Sequence, residues 1–382
     1  MNCVYAKTIY TGKSIEQNAY LIFKDNKIIN ISKSKKGDLT GKFNIITPAF
    51  IDPHSHIGMV RAGEPGEEEE SNEILESIFA LPDAIDSIQM DDGAFKDAIE
   101  MGVLYSCVLP GSGNIISGRS AAIRHYAKNS TDALIKYTGI KGAFGFNPMS
   151  TTDWKGQRPS TRMGALAILR KQLDDIRQKM DKLGKAKGKD KDDITFSLEE
   201  AVLREILEGK EILRVHVHKI DDVAALLRIV DEFKLKVTVE HAMDIHQPEI
   251  FNELKKRDIL VNYGPVDSFA YKVELKHENW RNIKYLVESG ARYGLMSDHP
   301  VIPARQLFLQ TRWFTRCGLS KQAAIELVSR KNAEALGLSK ILGTLTKGKW
   351  ASFTCWNEDP FDITSFPISV YGEGNLLYSH TQ

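Results

Sequence analysis

Six residues carry side chains whose types and spacing suit the binding of a metal cation. In "PAFIDPHSHIGM" (residues 48–59), His54 and His56 stand one residue apart at the end of an apolar run. Successive side chains of an extended strand alternate faces, so both imidazoles project to one side while Pro53 and Ser55 face away. Further along, "VHVH" (215–218) repeats the spacing with His216 and His218, "VEHAMD" (239–244) carries His241, and "LMSDHP" (295–300) carries Asp298. A borderline-soft divalent ion such as zinc takes imidazole nitrogen with carboxylate oxygen, and a catalytic site keeps one position for water. The ion draws the pKa of that water towards neutrality, and a carboxylate beside it can take the proton and return it to a leaving nitrogen. Asp298 is the candidate for that carboxylate. Each motif alone also has a plain structural reading: "VHVH" as a strand with one polar face, "EHAMD" as a helix entry, "SDHP" as a turn. Their convergence on one place is what argues for a metal.

That convergence needs a scaffold. The middle of the chain alternates strand-like and amphipathic helical segments, the pattern of βαβ units. Eight candidate strands fall at 44–54, 103–110, 114–124, 139–146, 212–218, 235–241, 258–264 and 291–298. Eight is the number that closes a TIM (β/α)8 barrel, whose active sites assemble at the C-terminal strand ends. The histidine motifs and Asp298 end strands one, five, six and eight of this count. Residues 1–48 and 343–382 instead read as short strands with glycine-marked turns, which predicts a small β-sandwich formed from both termini around a barrel of residues 49–342.

The bulk composition narrows the function classes. Lys plus Arg (51) balances Asp plus Glu (50), for a net charge of +1. This gives no electrostatic reason to expect nucleic acid or an anionic membrane, and leaves a small-molecule substrate as the expected partner. Self-association stays open. The four cysteines (Cys3, Cys107, Cys317, Cys355) are widely spaced and form no C-x-x-C pair. With no signal-peptide pattern at the N-terminus and no long apolar run, the expectation is a reduced, cytoplasmic protein.

In this order, "FIDPHSHIG", "VHVH", "VEHAMD" and "LMSDHP" resemble the strand-end motifs of the amidohydrolase superfamily, and the resemblance spans essentially the whole chain. "PGSGNIISGRSAAI", "NPMSTTDWKGQRPSTRMG" and "LGTLTKGKWASFTCWNEDPFD" are similar to a subgroup related to imidazolonepropionase and the prolidase-like amidohydrolases. The resemblance implies a metal-dependent hydrolase of a non-peptide C–N bond in a small cyclic or acyl-amino compound. A prolidase-like dipeptidase and a non-catalytic scaffold are the alternatives. Carried over by motif, His54, His56, His216 and Asp298 would bind one divalent ion, most readily zinc, with iron or manganese as alternatives. Asp298 would also shuttle the proton. His241 would hydrogen-bond the water or the attacked oxygen, or bind a second ion, and His218 would face the substrate.

The chain departs from these relatives at Gly145-Phe146-Asn147-Pro148, where they tend to read G-E-N-P, and at "GKWAS" (348–352), where they usually read G-K-D-A-D. Phe146 has no lone pair to share between two ions. Lys141, five residues earlier, would by strand alternation face the other way, so a single ion is expected. His299 should likewise point away from Asp298 and serve structure. Arg119, Arg158 and Arg162, with Trp154 nearby, are candidates for holding a substrate carboxylate bidentately.

Overall fold

The computed structural model describes residues 1–61, 63–150, 158–266 and 268–380, so Trp154 lies outside the described residues. The N-terminal part contributes strands β1 (Asn2–Tyr10), β2 (Ile15–Lys24), β3 (Lys27–Ser32) and β4 (Asp38–Pro48). The central part contributes β5 (Phe50–Ser55), β6 (Val103–Val108), β7 (Ile116–Arg124), β8 (Leu134–Ala143), β9 (Leu213–Val217), β10 (Val237–His241), β11 (Leu260–Tyr263) and β12 (Tyr293–Leu295). The C-terminal part adds β13 (Phe353–Trp356), β14 (Pro367–Gly372) and β15 (Asn375–Ser379). Strands from both ends of the chain join in one seven-stranded sheet of order β15-β14-β13-β4-β1-β2-β3, while β5 to β12 form an eight-stranded sheet in sequence order.

The eight-stranded sheet curls until its first and last strands meet. Asn332, fully buried, donates from Nδ2 to Ile51 O (2.6 Å) on β5 and to Leu295 O (2.8 Å) on β12. Just beyond the strand ends, Asp298 N donates to His54 O at 3.1 Å and His56 N to His299 O at 3.0 Å. Helices such as Ile220–Phe233 cover the sheet. That helix buries Val223, Leu226 and Val230 at helical spacing, each contributing about 1.5–3 kcal/mol relative to exposure. It carries Asp221 and Asp222 in its first turn and ends at Lys234 in the left-handed region (φ 59°).

Two strand expectations are corrected. The stretch 44–54 is not one strand: Pro48 still pairs with Phe353 of β13, Ala49 turns the chain, and only from Phe50 does it pair with β6. The third strand, β7, runs antiparallel to both β6 and β8. A parallel crossover needs a connection of a dozen or more residues, and the link from Val108 to Ile116 is too short for one, so the chain folds back as a hairpin. Among the described residues no helix is long and apolar enough to cross a membrane.

Candidate metal centre

The inner face of the curled sheet is polar where a core would ordinarily be apolar. His54 Nδ1 lies 2.8 Å from Glu240 Oε2, and both side chains are fully buried. Glu240 also accepts from Thr238 Oγ1 (2.6 Å) and from Asn262 Nδ2 (3.1 Å to each oxygen), and faces Arg214 Nη2 at 3.3 Å. Burial alone would raise this carboxyl, but Arg214 and His54 hold it down at about 2. An ionised Glu240 accepts only, so His54 carries its hydrogen on Nδ1 and leaves Nε2 as a bare lone pair. That Nε2 is buried without a hydrogen-bond partner. Burial lowers His54 to about 4, so the ring is neutral near pH 7.

His56 repeats the arrangement. Its Nδ1 donates to Leu109 O at 2.7 Å, which turns Nε2 into an acceptor. Both Nε2 atoms point at Asp298 Oδ1, 3.5 Å from His54 and 3.4 Å from His56. The imidazoles around Asp298 outweigh the upward push of its burial, so its carboxyl sits below the usual range. Two imidazole nitrogens and a carboxylate oxygen thus face one another, an arrangement that a cation between them satisfies.

His216, His218 and His241 form a second group, with ring centroids 4.4–4.8 Å apart. His241 Nδ1 donates to Gly264 O (3.0 Å), freeing Nε2, while His218 Nδ1 is buried without a partner. His216 stands with His218 and His241, and His241 joins this group to the first, its ring centroid 4.8 Å from that of His54 and its Nδ1 3.9 Å from Asp298 Oδ2. Regular alternation would turn His241 away from the interior, because Glu240 faces inward. His241 (φ 79°) and Ala242 (φ 58°) adopt left-handed backbone that swings the ring back, and Asp298 (φ 53°) does the same after β12.

Glu274, in the loop after β11, went unnoticed in the sequence because a loop carries no periodic signal. It is 2% exposed, with Oε1 3.3 Å from His216 Nε2 and 2.6 Å from Lys272 Nζ. Lys141 is fully buried on the inner face, paired in register with Arg214, and donates from Nζ to Pro110 O (2.9 Å). The expectation that it faces outward fails because β8 ends at Ala143 and Gly145 (φ 89°) breaks the alternation, so counting back from Phe146 gives the wrong parity. His299 is buried on the far side of Asp298, its Nδ1 accepting from Ala304 N (3.2 Å).

The arginines separate. Arg119 sits within β7, its guanidinium 4.9 Å from the ring of the exposed Tyr137, away from both histidine groups. Arg162 opens the helix Arg162–Lys185 and pairs with Asp222 Oδ1 at 2.7 Å, at the end of the sheet that carries the histidines. Arg158 is partly buried a few residues before it.

The profile described as "Amidohydrolase family" matches residues 45–376. An amidohydrolase of Hapsidospora irregularis, tasK, is 26% identical over an alignment of 357 residues that covers 87% of this chain; the chain spans about a third (36%) of that relative's length. The crystal structure of an amidohydrolase from Thermotoga maritima MSB8 superposes with a TM-score of 0.91 at 26% identity, covering all of both chains. A prolidase complexed with N-methylphosphonate-L-proline shares the fold at a TM-score of 0.64 and 13% identity, over 99% of this chain and all of that one.

Proposed function

The chain belongs to the amidohydrolase family, and on that premise we propose that it is a hydrolase cleaving a non-peptide C–N bond in a small cyclic or acyl-amino compound, using a divalent ion, zinc first among the choices, held by His54, His56 and Asp298. The observation that carries this reading is the convergence of His54 Nε2, which has no hydrogen-bond partner, and His56 Nε2 on Asp298 Oδ1. The curled sheet is read here as a (β/α)8 barrel with its third strand reversed.

When bound, the ion lowers the pKa of a water and polarises the scissile carbonyl. The protein's own groups do the rest. Asp298 takes the proton from the attacking water and delivers it to the leaving nitrogen. Solvent reaches this point, since Asp298 and His56 keep 14% and 13% of their side chains exposed. His241, with Nδ1 committed to Gly264 O, presents Nε2 as an acceptor and orients the water rather than donating to the carbonyl. In this reading His218 borders the substrate, and Arg158 and Arg162 hold a carboxylate on it.

The test is a screen of zinc-loaded protein against cyclic ureas, imidazolones, lactams and N-acyl amino acids, with X-Pro dipeptides alongside. Turnover in the first group, abolished by a chelator and restored by zinc, is expected. Turnover of X-Pro dipeptides alone would move the reading to a prolidase, and activity indifferent to chelation would overturn metal dependence.

A further inference from the structure

We infer that Asp244, His246 and His277 hold a divalent cation of their own, outside the candidate centre, and that this ion ties the segment after β10 to the loop after β11. One ligand atom from each of the three lies within 4.8 Å of the others, and none of the three belongs to either histidine group of the centre. The inference stands independently of the ion content of that centre.

The residues come from two connections. Asp244 and His246 follow β10, which ends at His241, and His277 lies in the long loop after Tyr263 ends β11. Asp244 is 2% exposed, and a buried carboxylate is costly unless it is paired. Its side-chain oxygens meet His277 twice: the backbone N donates to Oδ1 at 2.6 Å, and Nδ1 lies 3.2 Å from Oδ2. Among the described residues no Lys or Arg forms an ion pair with it.

His246 brings a second nitrogen. Its Nδ1 donates to Asp244 O at 2.8 Å, which fixes the hydrogen there and leaves Nε2 as a lone pair. Its ring packs on that of His277, with centroids 4.2 Å apart. Asp244 thus positions one histidine through its carbonyl and touches the other through its carboxylate. Ligands of a tetrahedral zinc, bonded at about 2.0–2.2 Å, stand about 3.3–3.6 Å apart. The 3.2 Å between His277 Nδ1 and Asp244 Oδ2 is close to that spacing, so an ion can replace the hydrogen between them with little movement. Two imidazoles and a carboxylate suit a borderline divalent ion and leave a position for water. The side chain of His277 is 41% exposed, which gives the ion a route from solvent.

The same loop borders the candidate centre. His277 O accepts from Asn282 Nδ2 at 2.9 Å, and three residues earlier Glu274 Oε1 lies 3.3 Å from His216 Nε2. An ion on His277 therefore acts as a clamp on the segment that sets Glu274 against His216.

The test is equilibrium dialysis of chelator-stripped protein against micromolar zinc, followed by elemental analysis, on wild type, His246→Ala and His277→Asn. The asparagine keeps a donor for Asp244 Oδ2 and removes the ring nitrogens. Wild type should hold one equivalent more than either variant, whatever number the centre takes. The lost ion should be weakened by at least the roughly 10–100-fold that losing an outer partner of a ligand costs. Trypsin cleavage after the exposed Lys276 gives a second reading. If the ion must leave before the loop opens, zinc at about 100 times its Kd should slow cleavage of wild type roughly 100-fold and leave His246→Ala unprotected. Equal zinc in all three proteins would overturn the inference and leave Asp244 as a hydrogen-bonded staple. So would zinc protection of Lys276 that persists in His246→Ala. Should His246→Ala fail to fold, His277→Asn, at an exposed position, decides by the same count.

Discussion

His54 Nδ1 and Glu240 Oε2 meet at 2.8 Å with neither side chain exposed, and this contact decides which nitrogen of His54 can bind a metal. Glu240→Gln keeps an acceptor for His54 but removes the charge facing Arg214, breaking a buried pair. Stability should fall by about 3–5 kcal/mol, and zinc affinity by roughly 10–100-fold. Denaturant titration and zinc competition measure the two; an unchanged zinc affinity would show that Glu240 does not set the ligand.

Asp298→Asn should lower kcat by roughly 10²–10⁴ while leaving the metal-free protein as stable as wild type, or more so. The amide can donate to His56 Nε2, which relieves the contact among acceptors. A metal-free variant clearly less stable than wild type would argue against the acceptor cluster.

Acid should destabilise the metal-free protein. Burial lowers His54 and His299 to about 4, and His125 and His218 to about 3, against 6.5 for a free ring. A lowered histidine gives stability that is full above 6.5 and lost as pH falls towards the folded value, because the unfolded chain takes up the proton first. Asp52 and Glu278, raised by burial to about 7, run the other way over about pH 4–7. The four histidines outnumber them, so urea midpoints should fall between pH 6.5 and 4.5 by about 1.4 kcal/mol per pH unit for each net proton. A flat profile would contradict the buried neutral rings.

Arg162→Met and Arg119→Met separate substrate contact from surface packing. Arg162 is about half exposed in its pair with Asp222, so its loss should change stability by less than about 1 kcal/mol. For a carboxylate-bearing substrate it should raise KM roughly tenfold at unchanged kcat, whereas Arg119→Met should leave both alone. Equal KM values for the two variants would remove Arg162 from the substrate site.

The sequence revealed the parts of this centre that obey period two. His54 with His56 and His216 with His218 could be paired by alternation, and the strands that carry them were legible as apolar runs. His241 and Asp298 were found as strand-end residues, yet what aims them is left-handed backbone, which no spacing reports. Lys141 was assigned the wrong face because the parity was counted through Gly145. Glu274 and Glu240 escaped for different reasons. Glu274 lies in a loop without period, whereas Glu240 shares a face with Thr238 and could have been found by alternation in "VTVE". The reversal of β7 was readable from its short connection, which a count of eight strands passed over.

Strand β4 leads through Ala49 straight into the strand that bears His54 and ends just before His56, and its outer edge is covered only by β13, about 300 residues later. On a ribosome adding ~5–20 residues per second, that edge waits roughly 15–60 s for its partner. During that interval β4 offers unpaired amides and carbonyls to any passing strand. The newborn chain is therefore exposed to misassembly at the strand leading to the first two candidate histidines until β13 is made and covers it.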